Sequence, residues 1–274
     1  MLQEYQCPAS DECQLFIDIT LESADGQKFG AHSKTLEVYN GAFPIVGTVI
    51  HDINDIVYLT EDADILVLLL RFSHNEPLPE LAPLGIDTVL ALAEAADKYE
   101  NHFALSACRT ALSHLAHQSP INALRIVSYK LAFKDYTEID ELVRSTMDIP
   151  THTVVEVMKH NPQIYLTYTL YKEVYMKAIQ GFRLVLDNDK LLTDEYARSC
   201  PRYGKAAVIF NALLMRLQSP TEDKIEEARG VAEAAIGPGI SLRNKNWNSW
   251  VRRLKDEVLG LPTWEKVELS IEGR

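Results

Sequence analysis

Hydrophobic and polar residues alternate over positions 15–23, LFIDITLES. The apolar face of this segment consists of Leu15, Ile17, Ile19 and Leu21. A period of two with β-branched residues predicts a half-buried strand. The Asp25-Gly26 pair that follows is typical of a hairpin turn, and QKFGAH at positions 27–32 continues as the return strand. The chain therefore opens with a predicted β-hairpin.

From Ser33 the apolar spacing changes to that of a helix, with Leu36, Tyr39 and Phe43 recurring at intervals of three and four. A second strand is predicted over DIVYLT at positions 55–60, followed by an apolar-faced helix in EDADILVLLLRFSHN at 61–75. Proline-punctuated residues 76–83 form a loop, and Asp87 is the predicted N-cap of the next helix. This order of elements indicates a small α+β domain.

Helical patterns dominate the rest of the chain. Ser119-Pro120 and Asn161-Pro162 each combine a capping residue with a proline in the first turn, and the second starts a long helix to about Leu186. Further apolar stripes predict a helix from Thr137 and three later helices, the last of which ends at Gly260. We therefore predict an α+β N-terminal domain followed by an all-α domain, with a helix-dominated chain overall.

The predicted boundaries are an N-terminal segment at 1–14, the α+β domain at 15–118 and the helical domain at 119–270. Residues 271–274 read IEGR, which is the recognition sequence of a protease used to remove tags. Both an expression scar and a natural end explain this tetrapeptide, which lies outside the predicted helical domain.

The 274-residue chain carries 27 Lys and Arg against 39 Asp and Glu, which gives a net charge of −12. Such an acidic balance disfavours non-specific binding to nucleic acids and anionic membranes. The longest apolar run, Ile65–Leu70, is far too short to cross a bilayer, and the N-terminus lacks the pattern of a secretory signal. The expected location is intracellular, either cytoplasmic or nuclear.

Four cysteines, Cys7, Cys13, Cys108 and Cys200, are scattered without a CxxC pair. Disulfide frameworks are denser and zinc motifs are usually clustered in sequence. The sequence therefore predicts no disulfide scaffold, no metal site and no cofactor.

The residues that could serve catalysis or metal binding are better explained by structural roles. His32 lacks a nucleophile or orienting acid at a telling spacing, so a structural role at the end of the hairpin is favoured over a general base. His114 and His117 share a helix face with His102 nearby, but no further zinc ligand has a suitable spacing. Asp187–Glu195 is acidic but lacks the EF-hand glycine. No catalytic motif is recognisable, and the protein is predicted not to be an enzyme.

Two features could instead serve binding. Arg243–Lys255 interleaves cations with two tryptophans, as in proteins that bind single-stranded nucleic acids, although a packed helix is favoured at this net charge. Tyr168, Tyr171 and Tyr175 lie on one seam of the long helix. This seam is either a groove for a partner or ordinary core, with core packing favoured.

The ordered set of elements over residues 15–116 resembles a BTB/POZ domain. The stretch DITLESADGQKFGAHSKTL at 18–36 is similar to the family's strand, turn, F-x-A-H and helix, and NGAF at 40–43 stands where the family has S-x-x-F. VYLTEDADILVLLLRF at 57–72 and VLALAEAADKYE at 89–100 continue the match. The spacing of 76–100 resembles an uncharacterised fungal subgroup of BTB proteins.

This resemblance implies a protein-interaction module that forms homodimers and binds a further protein partner, with the helical domain as the expected site for that partner. The residues that it implicates in interaction are Asp18, His32, Ser33, Leu36 and Phe43. Some members of the family bind co-repressors through the hairpin Asp and a basic residue after the His, a position occupied here by Ser33. The alternative role is that of a substrate adaptor for a cullin-type ubiquitin ligase. Cullin-binding members carry a hydrophobic-x-Glu motif, whereas the corresponding PIVGTVIHDIND has no Glu.

Overall fold

The computed structural model describes residues 5–10, 13–43, 56–188, 201–214, 222–239, 241–242, 252, 256 and 260–272. The chain divides into two compact units, Met1–Asn122 and Ala123–Arg274. The described residues are mostly helical and include one small mixed sheet. This confirms the prediction of a helix-dominated chain with a small sheet. None of the described helices has the length and apolarity needed to cross a membrane.

Unit 1 contains the sheet. Its strands are β1 (Ile19–Glu22), β2 (Lys28–Ala31) and β3 (Ile56–Tyr58), and its helices are α1 (Ser33–Tyr39), α2 (Ala63–Phe72), α3 (Ile86–Lys98) and α4 (His102–Ala116). β1 is the central strand, antiparallel to β2 and parallel to β3. Leu21 on β1 pairs with Phe29 and Val57, which places apolar side chains from all three strands on one face.

The hairpin turn confirms the prediction made from Asp25 and Gly26. Gly26 has φ +85°, a conformation that glycine adopts without steric cost. The Asp25 carboxylate accepts hydrogen bonds from the Ser23 hydroxyl at 2.5 Å and from the Ala63 backbone N–H at 3.0 Å. The turn therefore also satisfies a backbone donor at the start of α2.

The predicted first strand is too long. β1 begins at Ile19 instead of Leu15, and Leu15 and Phe16 are 53% and 76% exposed. Asp18 still donates its N–H to the Ala31 carbonyl oxygen of β2 at 3.2 Å, but the paired register of β1 and β2 begins only at Ile19. The predicted cap of α3 is also displaced, since Gly85 is the N-cap and Asp87 lies in the first turn.

The core of unit 1 forms where the sheet meets α1 and α2. Its principal members are Leu21, Phe29, Ala31, Leu36, Leu66 and Leu70. α3 and α4 form a helical hairpin whose buried positions are rich in alanine, including Ala93, Ala96 and Ala104. Small side chains at these positions permit close approach of the two helix axes.

The described part of unit 2 is entirely helical. Its helices are α5 (Pro120–Ala132), which begins within unit 1, α6 (Ile139–Ser145), α7 (Thr151–Met158), α8 (Pro162–Asn188), α9 (Pro201–Leu214), α10 (Glu222–Ile236) and α11 (Trp264–Glu272). The predicted starts at Pro120 and Pro162 are confirmed, and the Ser119 hydroxyl accepts the Asn122 N–H as expected for a cap. The sequence prediction lacked α11, although its Trp264 is fully buried.

Candidate metal centre

The segment at residues 5–10 lies against β2. The Gly30 N–H donates to the Gln6 carbonyl oxygen at 3.0 Å. A Cβ at Gly30 would lie 2.5 Å from the Tyr5 carbonyl oxygen and 2.7 Å from Cδ1 of Ile17. Glycine is thus required for the close approach of these two backbones. The contact places Cys7, which is 9% exposed, beside the hairpin.

His32 lies at the junction between β2 and α1 and is 4% exposed. Its Nδ1 is 2.8 Å from the Phe16 carbonyl oxygen. Because a carbonyl only accepts hydrogen bonds, Nδ1 carries the proton and Nε2 presents its lone pair. That Nε2 is 3.2 Å from Sγ of Cys13. The predicted structural role of His32 therefore includes a specific contact with a cysteine.

His74 follows the end of α2 and has the same arrangement. Its Nδ1 donates to the Leu70 carbonyl oxygen at 2.7 Å, which leaves the lone pair on Nε2. Nε2 is 3.3 Å from Sγ of Cys7 and 4.0 Å from Sγ of Cys13. Burial lowers the pKa of His74 below its usual value, which favours the neutral ring.

One donor atom from each of Cys7, Cys13, His32 and His74 lies within 4.8 Å of the other three. We call these four residues the Cys2His2 cluster. The two imidazole rings meet edge to face, with centroids 5.3 Å apart. Two sulfurs and two ring nitrogens at these separations match the ligand types and number of a tetrahedral divalent metal site.

The thiol of Cys7 does not have the features of a catalytic nucleophile. Burial, in the first place, raises its pKa to about 11, so the thiol is protonated at neutral pH in the metal-free chain. Nucleophilic cysteines require a lowered pKa and access to solvent, and this side chain is buried. The cluster is consequently better suited to binding a metal than to covalent catalysis.

The cluster was not predicted from the sequence. Cys7 and Cys13 have no CxxC spacing, but in the structure their sulfurs lie close to the same two histidines. Cys13 and His32 are 19 positions apart, and Cys7 and His74 are 67 apart. The ligands come from an N-terminal segment, a strand–helix junction and a helix end, so no spacing motif links them. The close approach at Gly30 brings the N-terminal segment to the hairpin, and the end of α2 places His74 beside it.

The interaction residues implied by the family resemblance are buried in the case of His32 and Leu36 and half-buried in the case of Asp18, Ser33 and Phe43. Asp18 accepts the Ser33 N–H at 2.7 Å and the Ser33 hydroxyl at 2.5 Å, so its carboxylate is used at the start of α1. Leu36 is 2% exposed, and the half-buried Phe43 stacks on Tyr99 with ring centroids 5.1 Å apart. The side chains of His32 and Leu36 are buried, so other residues of this chain already cover them.

The tyrosine seam is core and not a groove. Tyr168, Tyr171 and Tyr175 are 1%, 2% and 2% exposed. The Tyr168 hydroxyl donates to the Thr146 carbonyl oxygen at 3.0 Å, and Arg144 Nε donates to the Tyr171 hydroxyl at 3.2 Å. All three side chains belong to the apolar core of unit 2, where residues of other helices pack against them.

The remaining candidates add no second site among the described residues. Within that part of the chain, the Cys2His2 cluster is the only group of three or more metal-ligating side chains close enough to share an ion, and it does not include His102, His114 or His117. The acidic loop beyond residue 188 and nearly all of 243–255 lie outside the described residues.

Replacing Gly30 with alanine should destabilise unit 1 by about 1–3 kcal/mol, because the new methyl group meets the Tyr5 carbonyl and the Ile17 side chain. Urea titration followed by far-UV circular dichroism measures this loss. Gly230→Ala is the matched control, since nothing lies within 4 Å of a Cβ at that helical position. It should stabilise by about 0.5–1 kcal/mol. Equal effects of the two substitutions would contradict the close packing at Gly30.

A scan against protein-family models found no match to this chain. A search of curated proteins found no significant match either.

Proposed function

We propose that the chain is a BTB/POZ-type protein-interaction module that self-associates through unit 1. The order of β1, β2, α1, β3, α2, α3 and α4 agrees with the order expected from the resemblance. An exposed apolar surface on α1 and α4 is the observation that carries the proposal, because contiguous apolar patches on folded domains mark interaction sites.

That surface consists of Val38, Tyr39 and Phe103, and we call it the α1/α4 surface. Val38 on α1 is 69% exposed and Phe103 in the first turn of α4 is 56% exposed. The rings of Tyr39 and Phe103 are in contact, with centroids 5.9 Å apart. The half-buried Tyr39 thus links the exposed Phe103 on α4 to α1, on which Val38 is also exposed, and a second molecule can cover these apolar side chains.

A buried polar network holds α1 and α4 in place behind this surface. The Asn101 side-chain amide donates to Oδ1 of Asn40 at 3.0 Å and to the Ser73 hydroxyl at 3.2 Å. Asn40 in turn donates to the Ser73 hydroxyl at 3.0 Å. All three side chains are at most 1% exposed. The network joins the ends of α1 and α2 to the start of α4, so the surface is pre-organised before association.

The partner that we propose is a second copy of the chain, in keeping with the homodimers of BTB/POZ proteins. A symmetric pair buries the same apolar patch on both molecules, so one surface is sufficient. Aromatic residues such as Tyr39 and Phe103 are the type enriched at the centres of interfaces. The function of such a module is binding, so its measurable property is oligomeric state.

The full-length chain should sediment as a dimer at micromolar concentrations. Val38→Glu and Phe103→Glu should each weaken association at least about tenfold, because a carboxylate would be desolvated at the contact. Phe103→Glu should preserve folding, since an acidic residue in the first turn of α4 is favourable to the helix dipole. Sedimentation velocity over a concentration series measures both effects.

Val208→Glu is the matched control, because Val208 on α9 is also 69% exposed but lies in unit 2. It should leave the association unchanged. A wild-type chain that remains monomeric throughout the series would overturn the proposal. A dimer insensitive to both unit 1 substitutions would contradict the assignment of the α1/α4 surface.

A further inference from the structure

We propose that Cys7, Cys13, His32 and His74 form a structural Zn²⁺ site that fastens the N-terminal segment to the hairpin and to α2. The four donors converge from sequentially distant parts of unit 1. With two sulfurs and two nitrogens the site supplies all four positions of a tetrahedron, which is the pattern of structural and not of catalytic zinc.

The donor separations agree with a single ion. Zn–S bonds of about 2.3 Å and Zn–N bonds of about 2.0–2.1 Å give tetrahedral donor–donor separations of about 3.3–3.8 Å. Three sulfur–nitrogen separations, 3.2 Å for Cys13 and His32, 3.3 Å for Cys7 and His74, and 4.0 Å for Cys13 and His74, lie close to that range, and all four donors lie within 4.8 Å of one another. Small side-chain rotations are enough to reach zinc bond lengths.

Both imidazoles are already oriented as zinc ligands. Each donates its Nδ1–H to a backbone carbonyl, that of Phe16 for His32 and that of Leu70 for His74. Metal-bound histidines almost always use the second nitrogen in this way, which fixes the tautomer and directs the free lone pair at the metal. The two histidines share this arrangement, and each has its Nε2 against a cysteine sulfur. The ligand atoms are therefore oriented for metal binding by the fold itself.

The pairing of donors favours one zinc over an iron–sulfur cluster. A Rieske-type cluster places both histidines on one iron and both cysteines on the other. Here each sulfur lies against a ring nitrogen, and all four donors fit around one point. On binding Zn²⁺, the Cys7 and Cys13 thiols each release a proton to solvent and form a Zn–S bond, which neutralises the dication. No electron transfer is involved.

The site joins four parts of unit 1 that are distant in sequence. Cys7 belongs to the segment whose backbone pairs with Gly30, and Cys13 lies between that segment and β1. His32 caps α1 and His74 follows α2. Because a zinc ion bound only by the folded chain stabilises it, the metal should couple the order of the N-terminal segment to the folding of unit 1.

The test uses the full-length chain expressed with added zinc and purified under reducing conditions. Inductively coupled plasma mass spectrometry should find one Zn²⁺ per chain. After removal of zinc with a chelator, addition of Co²⁺ should give the intense visible d–d bands of tetrahedral cobalt and near-UV thiolate charge-transfer bands. The melting temperature should fall on removal of zinc and recover on its return.

Cys13→Ser is the informative variant, because Cys13 is only half-buried and the substitution is small. It should lower zinc retention at least about tenfold and weaken the cobalt charge-transfer bands. Cys108→Ser, at a fully buried cysteine outside the cluster, and His114→Gln, at an exposed histidine, should leave metal content unchanged. Circular dichroism of each variant separates loss of metal from loss of fold.

Absence of stoichiometric zinc together with absence of cobalt bands in the folded wild-type chain would overturn the proposal. So would a native Cys7–Cys13 disulfide found by peptide mapping, or equal zinc loss in the cluster variant and the control variants. Metal content does not depend on oligomeric state. The zinc site and the proposed dimer can therefore fail separately.

Discussion

Replacing Trp264 with alanine should lower the free energy of unfolding by about 3–5 kcal/mol. Trp264 begins α11 and is 0% exposed. Its ring packs on Tyr171, with centroids 5.8 Å apart, and its backbone N–H donates to Asp140 Oδ1 at 2.7 Å. Truncation leaves a large cavity in the core of unit 2 and removes the side chain that attaches the final helix. Urea titration followed by far-UV circular dichroism measures the loss.

Two further variants test whether the loss of stability comes from packing of the Trp264 ring. Trp264→Phe should cost less than about 1.5 kcal/mol, because it keeps the ring while removing an indole N–H that is buried without a hydrogen-bond partner among the described residues. Leu269→Ala lies on the same helix but at a side chain that is 59% exposed, so it should change stability by less than about 0.5 kcal/mol. A similar loss for Leu269→Ala and Trp264→Ala would contradict the placement of α11 in the core.

Replacing Asn101 with alanine should destabilise unit 1 by about 2–4 kcal/mol. The Asn101 side-chain carbonyl accepts the Ala104 N–H at 2.9 Å as the cap of α4, while its amide donates to Asn40 and Ser73. The substitution therefore removes a helix cap and leaves buried groups of the neighbouring side chains with fewer partners. Chemical denaturation measures the change.

Ser119→Ala supplies the matched control, because Ser119 caps α5 through the Asn122 N–H at 3.2 Å at a half-buried position outside that network. A cap alone should be worth about 1 kcal/mol. Equal losses for the two substitutions would show that the network behind the α1/α4 surface adds nothing. A larger loss at Asn101, accompanied by weaker dimerisation, is the outcome that the proposed function predicts.

Local sequence signals predicted the elements of this fold well. The Asp25-Gly26 turn and the Pro120 and Pro162 helix starts are all present, because each depends on residues adjacent in sequence. The errors arose where tertiary partners decide the outcome. Residues 15–18 alternate but precede the strand β1, which begins at Ile19, and α11 is short but contributes a buried tryptophan.

The metal-ligand arrangement could not be read from the sequence for a related reason. Its four donors are brought together by the packing of residues 5–10 on β2 and by the position at which α2 ends. Neither feature has a spacing signature, so the cysteines looked isolated. The requirement for Gly30 is likewise visible only once the Tyr5 backbone is placed beside it. The contact of His32 with Cys13 likewise has no signal in the local sequence.

The α1/α4 surface also could not be predicted from the sequence. The family resemblance directed attention to Leu36 and His32, which this chain buries, while the exposed Val38 and Phe103 come from helices that meet only in three dimensions. Exposure of a helix face depends on what packs against it, which periodicity alone does not specify. The proposed role in self-association is thus carried by residues that the sequence pattern did not single out.

Native mass spectrometry of the full-length, reduced chain addresses both proposals in one measurement. We expect the principal species to have twice the mass of one chain plus two zinc ions, and the zinc to be lost selectively in Cys13→Ser. A metal-free dimer would contradict the zinc site but not the proposed self-association. A zinc-bound monomer would contradict self-association but not the zinc site. A monomer without metal, from cells supplied with zinc, would contradict the account as a whole.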